Sequence, residues 1–259
     1  MNITVASTSN QGERVTNQDQ IGEVVGLRAA CFVVCDGIAG LPGGEIAAKV
    51  ARDSILQNFD GERHLDAQSI RQYIAQANHA IRQQQQSEQY RKMGTTLVSL
   101  FIDRDYQLAY WAHAGDSRLY LFRRGYLQAV TRDHSLVQQM ADAGYQTNGI
   151  NSNLLYFALG MNEERDATYG EVLQLEDGDV FLLCTDGFWH NFTQDELEQS
   201  LHMVNSPSEW LSLMQQAWDK NGNVNNSDNY SAIAVWVGSP QETTLLHSLT
   251  DAERFLSYK

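Results

Sequence analysis

Between Thr95 and Asp133 the chain carries four short runs rich in β-forming residues, TTLVSLFID, QLAYWAHAG, SRLYLFRRG and YLQAVTRD. Turn signals separate them at Asp103–Asp105, Gly115-Asp116 and Arg124-Gly125, so the stretch reads as a meander of antiparallel strands. Around it the pattern is uneven. NITVAST (2–8) and GLRAACFVVCDG (26–37) read as strands, and helical spacing follows from Gly44 and again from Asp66, an N-cap ahead of the stripe Ile70, Tyr73, Ile74, Ala77 and Ile81. After the meander come a helix at about Ser135–Ala143 and a polar, Asn-rich stretch, Gly144–Gly160. Two strands across the Glu176-Asp177-Gly178 turn, helices at Gln194–Met203 and Pro207–Lys220, and the strand YSAIAVWVG complete the pattern. Regular βαβ alternation is missing, which excludes a doubly wound sheet and favours an α+β chain of mainly antiparallel sheets covered by helices.

The acids fall where apolar runs stop. FVVCDG ends on Asp36 and FLLCTDG ends on Asp186; Asp228 stands just before the last strand, Asp116 in the link HAGDSRLY, and Asp19 in RVTNQDQ. Each alone is explained by an N-cap or an Asp-Gly turn, but two near-identical endings make the set harder to dismiss. Burying a lone carboxylate costs several kcal/mol or forces protonation, so convergent acids need a cation. With no Cys pair at zinc spacing, an oxygen-only site suits Mg²⁺ or Mn²⁺. Two such ions roughly 3.5–4 Å apart can acidify a bridging water for in-line attack on phosphorus. Arg14, in GERVTNQD, is a candidate phosphate clamp.

Composition narrows the classes. A formal net charge of −14 makes nucleic acid an unsuitable partner. No apolar run approaches the twenty or so residues that span a bilayer, and the N-terminus lacks a basic start followed by an apolar block, so a cytoplasmic protein is expected. The three cysteines sit in apolar runs and read as buried thiols. None has an arginine six residues on, which excludes a cysteine-dependent phosphatase; GLPGGE lacks the Lys-Ser/Thr ending of a P-loop.

Taken in order, GERVTNQD, VVCDGIAGLPGGEIAA, GTTLVSLFI, HAGDSRLYLFRRG, TRDHS, ALG, LLCTDGFW and DNYSAIAV resemble the PP2C-type, metal-dependent protein Ser/Thr phosphatases (the PPM family) in their bacterial form. The resemblance runs from about Thr4 to Gly238. It implies a four-layer αββα sandwich, two central sheets flanked by helices, as one domain over 1–238. A flap-like segment falls at about 144–168, and a tail at 239–259 carries a possible capping box at Thr250 and Glu253. It also implies Mn²⁺ or Mg²⁺ as two core ions, with Asp36 bridging both, the carbonyl of Gly37 and the carboxylates of Asp186 and Asp228 as further ligands, and Asp116 on a third, weaker ion. Arg14 would contact the substrate phosphate, while Gln18, Asp19 and Asn229 would support the site from behind. The implied reaction is hydrolysis of phosphoserine and phosphothreonine by a metal-bridging hydroxide in a monomer, reversing a bacterial Ser/Thr kinase. The alternative is a weak pseudophosphatase that binds phosphoproteins. Four positions depart from the family pattern: Gln18 stands where many relatives carry Glu, Ile38 and Leu41 where histidines occur, and Phe157 where a polar residue is common.

Overall fold

In the computed structural model, which describes residues 1–40, 42–161, 165–220 and 228–242, the strands form one five-stranded and one six-stranded sheet. The first sheet runs in the order β1 (Ile3–Asn10), β11 (Tyr230–Val237), β10 (Val180–Cys184), β6 (Arg118–Arg123), β7 (Tyr126–Val130). The second runs β2 (Asp19–Val25), β3 (Ala29–Asp36), β4 (Leu97–Asp103), β5 (Leu108–Ala114), β8 (Thr168–Tyr169), with β9 (Leu173–Gln174) also paired to β5. The pairings are antiparallel.

The apolar runs are continuous because both faces of their strands are covered. Side chains alternate across a strand, so Phe32 and Val34 of β3 meet Phe181 of β10 and Val235 of β11 between the sheets. Their neighbours Val33 and Cys35 face α1 (Gly44–Asn58) and α2 (Ala67–Gln84) through Ala47, Ala51, Ile55 and Ile74. On the opposite side Leu182, Cys184 and Trp236 pack against Trp210 and Met214 of α6 (Pro207–Lys220) and against α4 (Asp186–Trp189) and α5 (Gln194–Leu201). The result is helix, sheet, sheet, helix, as the resemblance implied. Asp66 caps α2 in a reciprocal box with Ser69, a device that stabilises a helix by about 1 kcal/mol. All three cysteines are free and buried. Among the described residues no helix is long and apolar enough to cross a membrane.

Three strand readings change. The four runs from Thr95 are not one meander: β4 and β5 pair in the second sheet, whereas β6 and β7 pair in the first. The chain changes sheets at Gly115-Asp116, where Gly115 takes φ 97° and a Cβ would lie 2.7 Å from the Thr96 side chain. The two strands around Asp177-Gly178 are likewise no hairpin, because β9 joins the second sheet and β10 the first. DQIGEVV, not anticipated as a strand, is β2. The polar stretch after α3 (Leu136–Asp142) is irregular, with left-handed glycines at 144, 149 and 160. Leu41, part of the flap-like segment (162–164) and the proposed cap at Thr250 and Glu253 lie outside the described residues.

Candidate active site

Strand register brings the acids to one mouth. Asp19 opens β2 directly opposite Asp36, which ends β3. Cys184 ends β10 opposite Ala232 near the start of β11, which places Thr185-Asp186 beside Asp228-Asn229. One cleft of about 270 Å³ is therefore lined by Arg14, Asp36, Gly37, Asp116, Asp186 and Asp228, with Gln18 and Asn229 also at its wall. Asp19 sits behind it, 3% exposed.

Backbone contacts fix each carboxylate. The Asp36 N–H donates to Thr96 Oγ1 (2.9 Å), and its carbonyl accepts from the Thr96 N–H and Thr95 Oγ1 (2.8 Å each). Thr96 Oγ1 lies 2.6 Å from Ser117 Oγ, which ties the end of β3 to the Asp116 link. The indole of Trp189 donates to the Asp116 carbonyl at 2.9 Å, and the Arg118 guanidinium lies 3.3 Å from the centre of that ring while pairing twice with Asp133 at 2.8 Å. Asp186 is the first residue of α4, so its carboxylate sits at a helix start. The next residue must be glycine: a Cβ on Gly187 would lie 2.0 Å from the Asn229 carbonyl oxygen. Asn229 fastens the loop that carries Arg14. Its Oδ1 accepts from the Gln18 N–H (2.8 Å), and its Nδ2 donates to the carbonyls of Gln11 (2.7 Å) and Thr16 (3.0 Å).

The electrostatics are strained toward negative charge. Burial, followed by the charges of Asp19, Asp186 and Asp116, pushes Asp36 well above the carboxylate range. Burial also raises Asp186, lifts Asp116 to about 8 and lifts Asp19 to about 7. Thr185 Oγ1 donates to Asp19 Oδ2 at 3.0 Å, but Asp19 Oδ1 is buried with no hydrogen-bond partner. The Arg14 guanidinium binds Asp228, through Nε (3.0 Å) and Nη2 (2.9 Å), and no other side chain among the described residues. Buried, mutually repelling carboxylates with an orphaned oxygen behind them fit a divalent cation held by oxygen donors. The donors surround the cleft without closing on it: among the described residues no three His, Cys, Asp or Glu side chains already form a ligating group. Like-charge repulsion and the claim of Arg14 on Asp228 both act against such closure.

Residues 7–228 match the sequence signature of protein phosphatase 2C. The chain belongs to that family. Protein phosphatase PhpP of Streptococcus pneumoniae is 32% identical over 208 residues, 76% of this chain and 82% of PhpP. Serine/threonine phosphatase stp of Listeria monocytogenes is 30% identical over 189 residues, 68% of this chain and 73% of its own. Among solved structures, the catalytic domain of serine/threonine protein phosphatase PstP in complex with two manganese ions superposes with TM-score 0.78 at 24% identity. That superposition covers 92% of this chain and 99% of that one, and at such identity it speaks for the fold. The chain is thus a protein serine/threonine phosphatase with the phosphatase 2C fold.

Against the family pattern, the departures acquire physical surroundings. Gln18 donates through Nε2 to Glu45 Oε2 at 3.3 Å, so a carboxylate from the first turn of α1 stands next to the uncharged residue. Ile38 lines the cleft with its side chain against Gly94. Phe157 is 2% exposed and packs in the core between the second sheet and its helices, 5.5 Å from the His134 ring, where a polar residue would be buried. The supporting roles of Thr96, Thr185 and Trp189 were not foreseen; the only sequence signal for them is adjacency to Asp116 and Asp186 and the GTT and DGFW motifs.

Proposed function

We propose that this phosphatase removes phosphate from phosphoserine and phosphothreonine in one displacement by water, with Asp36, Asp186, Asp228 and the Gly37 carbonyl holding two Mn²⁺ or Mg²⁺ ions and Asp116 a third. The observation that carries this reading is the crowding of Asp36 with Asp186, Asp116 and Asp19 in one partly desolvated cleft. When bound, the ions supply charge neutralisation and a water acidic enough to attack phosphorus at neutral pH. The rest is the work of the chain. Asp228 cannot fully serve Arg14 and a cation at once, so occupancy of the acids frees the Arg14 guanidinium to take two phosphate oxygens. Thr96 is the one hydroxyl side chain among the described cleft residues, and its oxygen is already engaged by Asp36 and Ser117. The cysteines are buried, with burial raising each thiol. No hydroxyl or thiol at the cleft is therefore free to become phosphorylated, and in this reading the carboxylates are committed to the ions, which favours direct attack by water. Asn151, Asn153 and Leu155 of the flap-like segment close one side of the cleft. The counterpart reaction is phosphorylation by a Ser/Thr kinase on the same proteins, in the cytoplasm.

The test is release of phosphate from a phosphothreonine peptide with Mn²⁺, with Mg²⁺ and with EDTA, for the native chain and for Asp36→Asn and Asp186→Asn. Metal-dependent turnover lost in both variants supports the shared site. In ¹⁸O water the label should enter the released phosphate with no phosphoenzyme trapped by acid quench; a trapped phosphoenzyme refutes direct displacement.

A further inference from the structure

A second, larger groove of about 720 Å³ adjoins the acidic cleft, and Ile38, Ala39, Asn153 and Leu155 line both. Its volume is in the ligand-binding range of ~300–1,000 Å³. Its walls are built. Gln85 Nε2, at the end of α2, donates to the carbonyls of Met93 and Gly160 at 2.7 Å each, and the Leu136 N–H donates to the Leu154 carbonyl at 2.8 Å. Leu154, 49% exposed, lines the groove together with Ile38 and Met161. Arg91 and Lys92, both exposed, line it too, just past the short 3-10 turn Glu88–Tyr90.

These two cations differ from most of the described arginines. Acids outnumber bases 32 to 18, and Arg52, Arg63, Arg118, Arg123 and Arg132 each hold a carboxylate. Arg91 and Lys92 hold none among the described residues, and no described carboxylate lines their groove. Adjacent positive charges that hold no carboxylate among the described residues of an acidic protein, in a groove continuous with the acidic cleft, fit an anionic flank of the substrate.

Resting on the phosphatase reading above, we propose that this groove receives the polypeptide beside the phosphorylated residue, and that Arg91 and Lys92 select substrates with acidic side chains there. An apolar substrate side chain rests on Leu154, Ile38 and Met161, while carboxylates of the same segment meet the two cations. The basic groove orients the chain, a contribution of complementarity to specificity.

The experiment compares two phosphothreonine peptides of equal length, one with Glu and one with Gln on both sides of the phosphoresidue. The readout is the ratio of their kcat/KM values, with native protein and with Arg91→Ala/Lys92→Ala. Native protein should favour the Glu peptide about three- to tenfold, mainly in KM and less at high salt. In the double variant the ratio should fall to about one; being a ratio, it is insensitive to the fraction folded. A native ratio near one, or a ratio unchanged in the variant, overturns the proposal. If p-nitrophenyl phosphate is not turned over either, the phosphatase reading fails. Fluorescence anisotropy of the two labelled peptides on the native and double-variant proteins then decides the groove by the same ratio.

Discussion

Arg14→Ala should bind Mn²⁺ more tightly than the native chain while losing most of its activity. The Arg14 guanidinium engages both oxygens of Asp228 at 3.0 and 2.9 Å, the carboxylate proposed as a metal ligand. The two side chains are 47% and 35% exposed, so solvent screens the pair, and the bidentate contact contributes about 1 kcal/mol. An incoming cation must forgo that contribution and accept a neighbouring positive charge as well. Removing Arg14 lifts both costs, which corresponds to about fivefold tighter binding at the site that uses Asp228. The same substitution takes away the proposed phosphate clamp and should lower kcat/KM about 10²-fold or more. Isothermal titration calorimetry of Mn²⁺ into the metal-free proteins measures the first quantity, at low salt and again at high salt, where the difference should shrink. Equal or weaker Mn²⁺ binding by Arg14→Ala would refute the reasoning, because it would mean that Arg14 supports the metal site instead of competing with it.

The metal-free protein should become less stable as pH rises from about 4 to about 8. The folded-state values of Asp19 (about 7) and Asp116 (about 8) lie above the unfolded carboxylate value, so the folded state binds more protons in that window and loses that advantage as they dissociate. Thermal unfolding in EDTA at pH 5.5 and pH 8 checks the sign, and Mn²⁺ should recover the loss at pH 8; a metal-free protein more stable at pH 8 contradicts it. Gly187→Ala should lower stability by about 2 kcal/mol or more and impair activity, because its Cβ meets the Asn229 carbonyl at 2.0 Å; denaturant unfolding reads the first effect. Trp189→Phe keeps a ring near Arg118 but removes the indole donor to the Asp116 carbonyl, a loss of about 1 kcal/mol of stability by the same measurement. If Trp189→Phe matches the native chain in both stability and Mn²⁺ dependence, that hydrogen bond does not position Asp116.

The central strands and the acids at their ends were legible because burial on both faces leaves an unbroken apolar run, and the polar residue that ends it stands out. Helix α2 announced itself through its stripe and its Asp66 cap. Strand β2 did not: DQIGEVV carries a glycine at its centre, and only the folded chain shows why, since a Cβ on Gly22 would lie 2.5 Å from Leu56 Cδ1 of α1. The change of sheets at Gly115-Asp116 looks like an ordinary hairpin link in sequence; which sheet receives the next strand depends on packing across the sandwich. In the site, residue types were readable but pairings were not. Thr185 meets Asp19 across 166 positions and Arg14 meets Asp228 across 214, distances over which one sequence carries no local signal.

The pairing of β1 with β11, from Ile3 opposite Val237 to Asn10 opposite Tyr230, has a consequence for the protein's birth. Arg14 and Asp36 leave the ribosome well before Asp186 and Asp228. Until β11 inserts between β1 and β10, Asp228 and Asn229 have no fixed place and the Arg14 loop lacks its three hydrogen bonds to Asn229. A nascent chain of this kind cannot assemble the cleft until β11 has emerged. Closure by its most distant segments belongs to the slow class of folding events. Topology thus makes the joining of these distant segments the step that assembles the cleft.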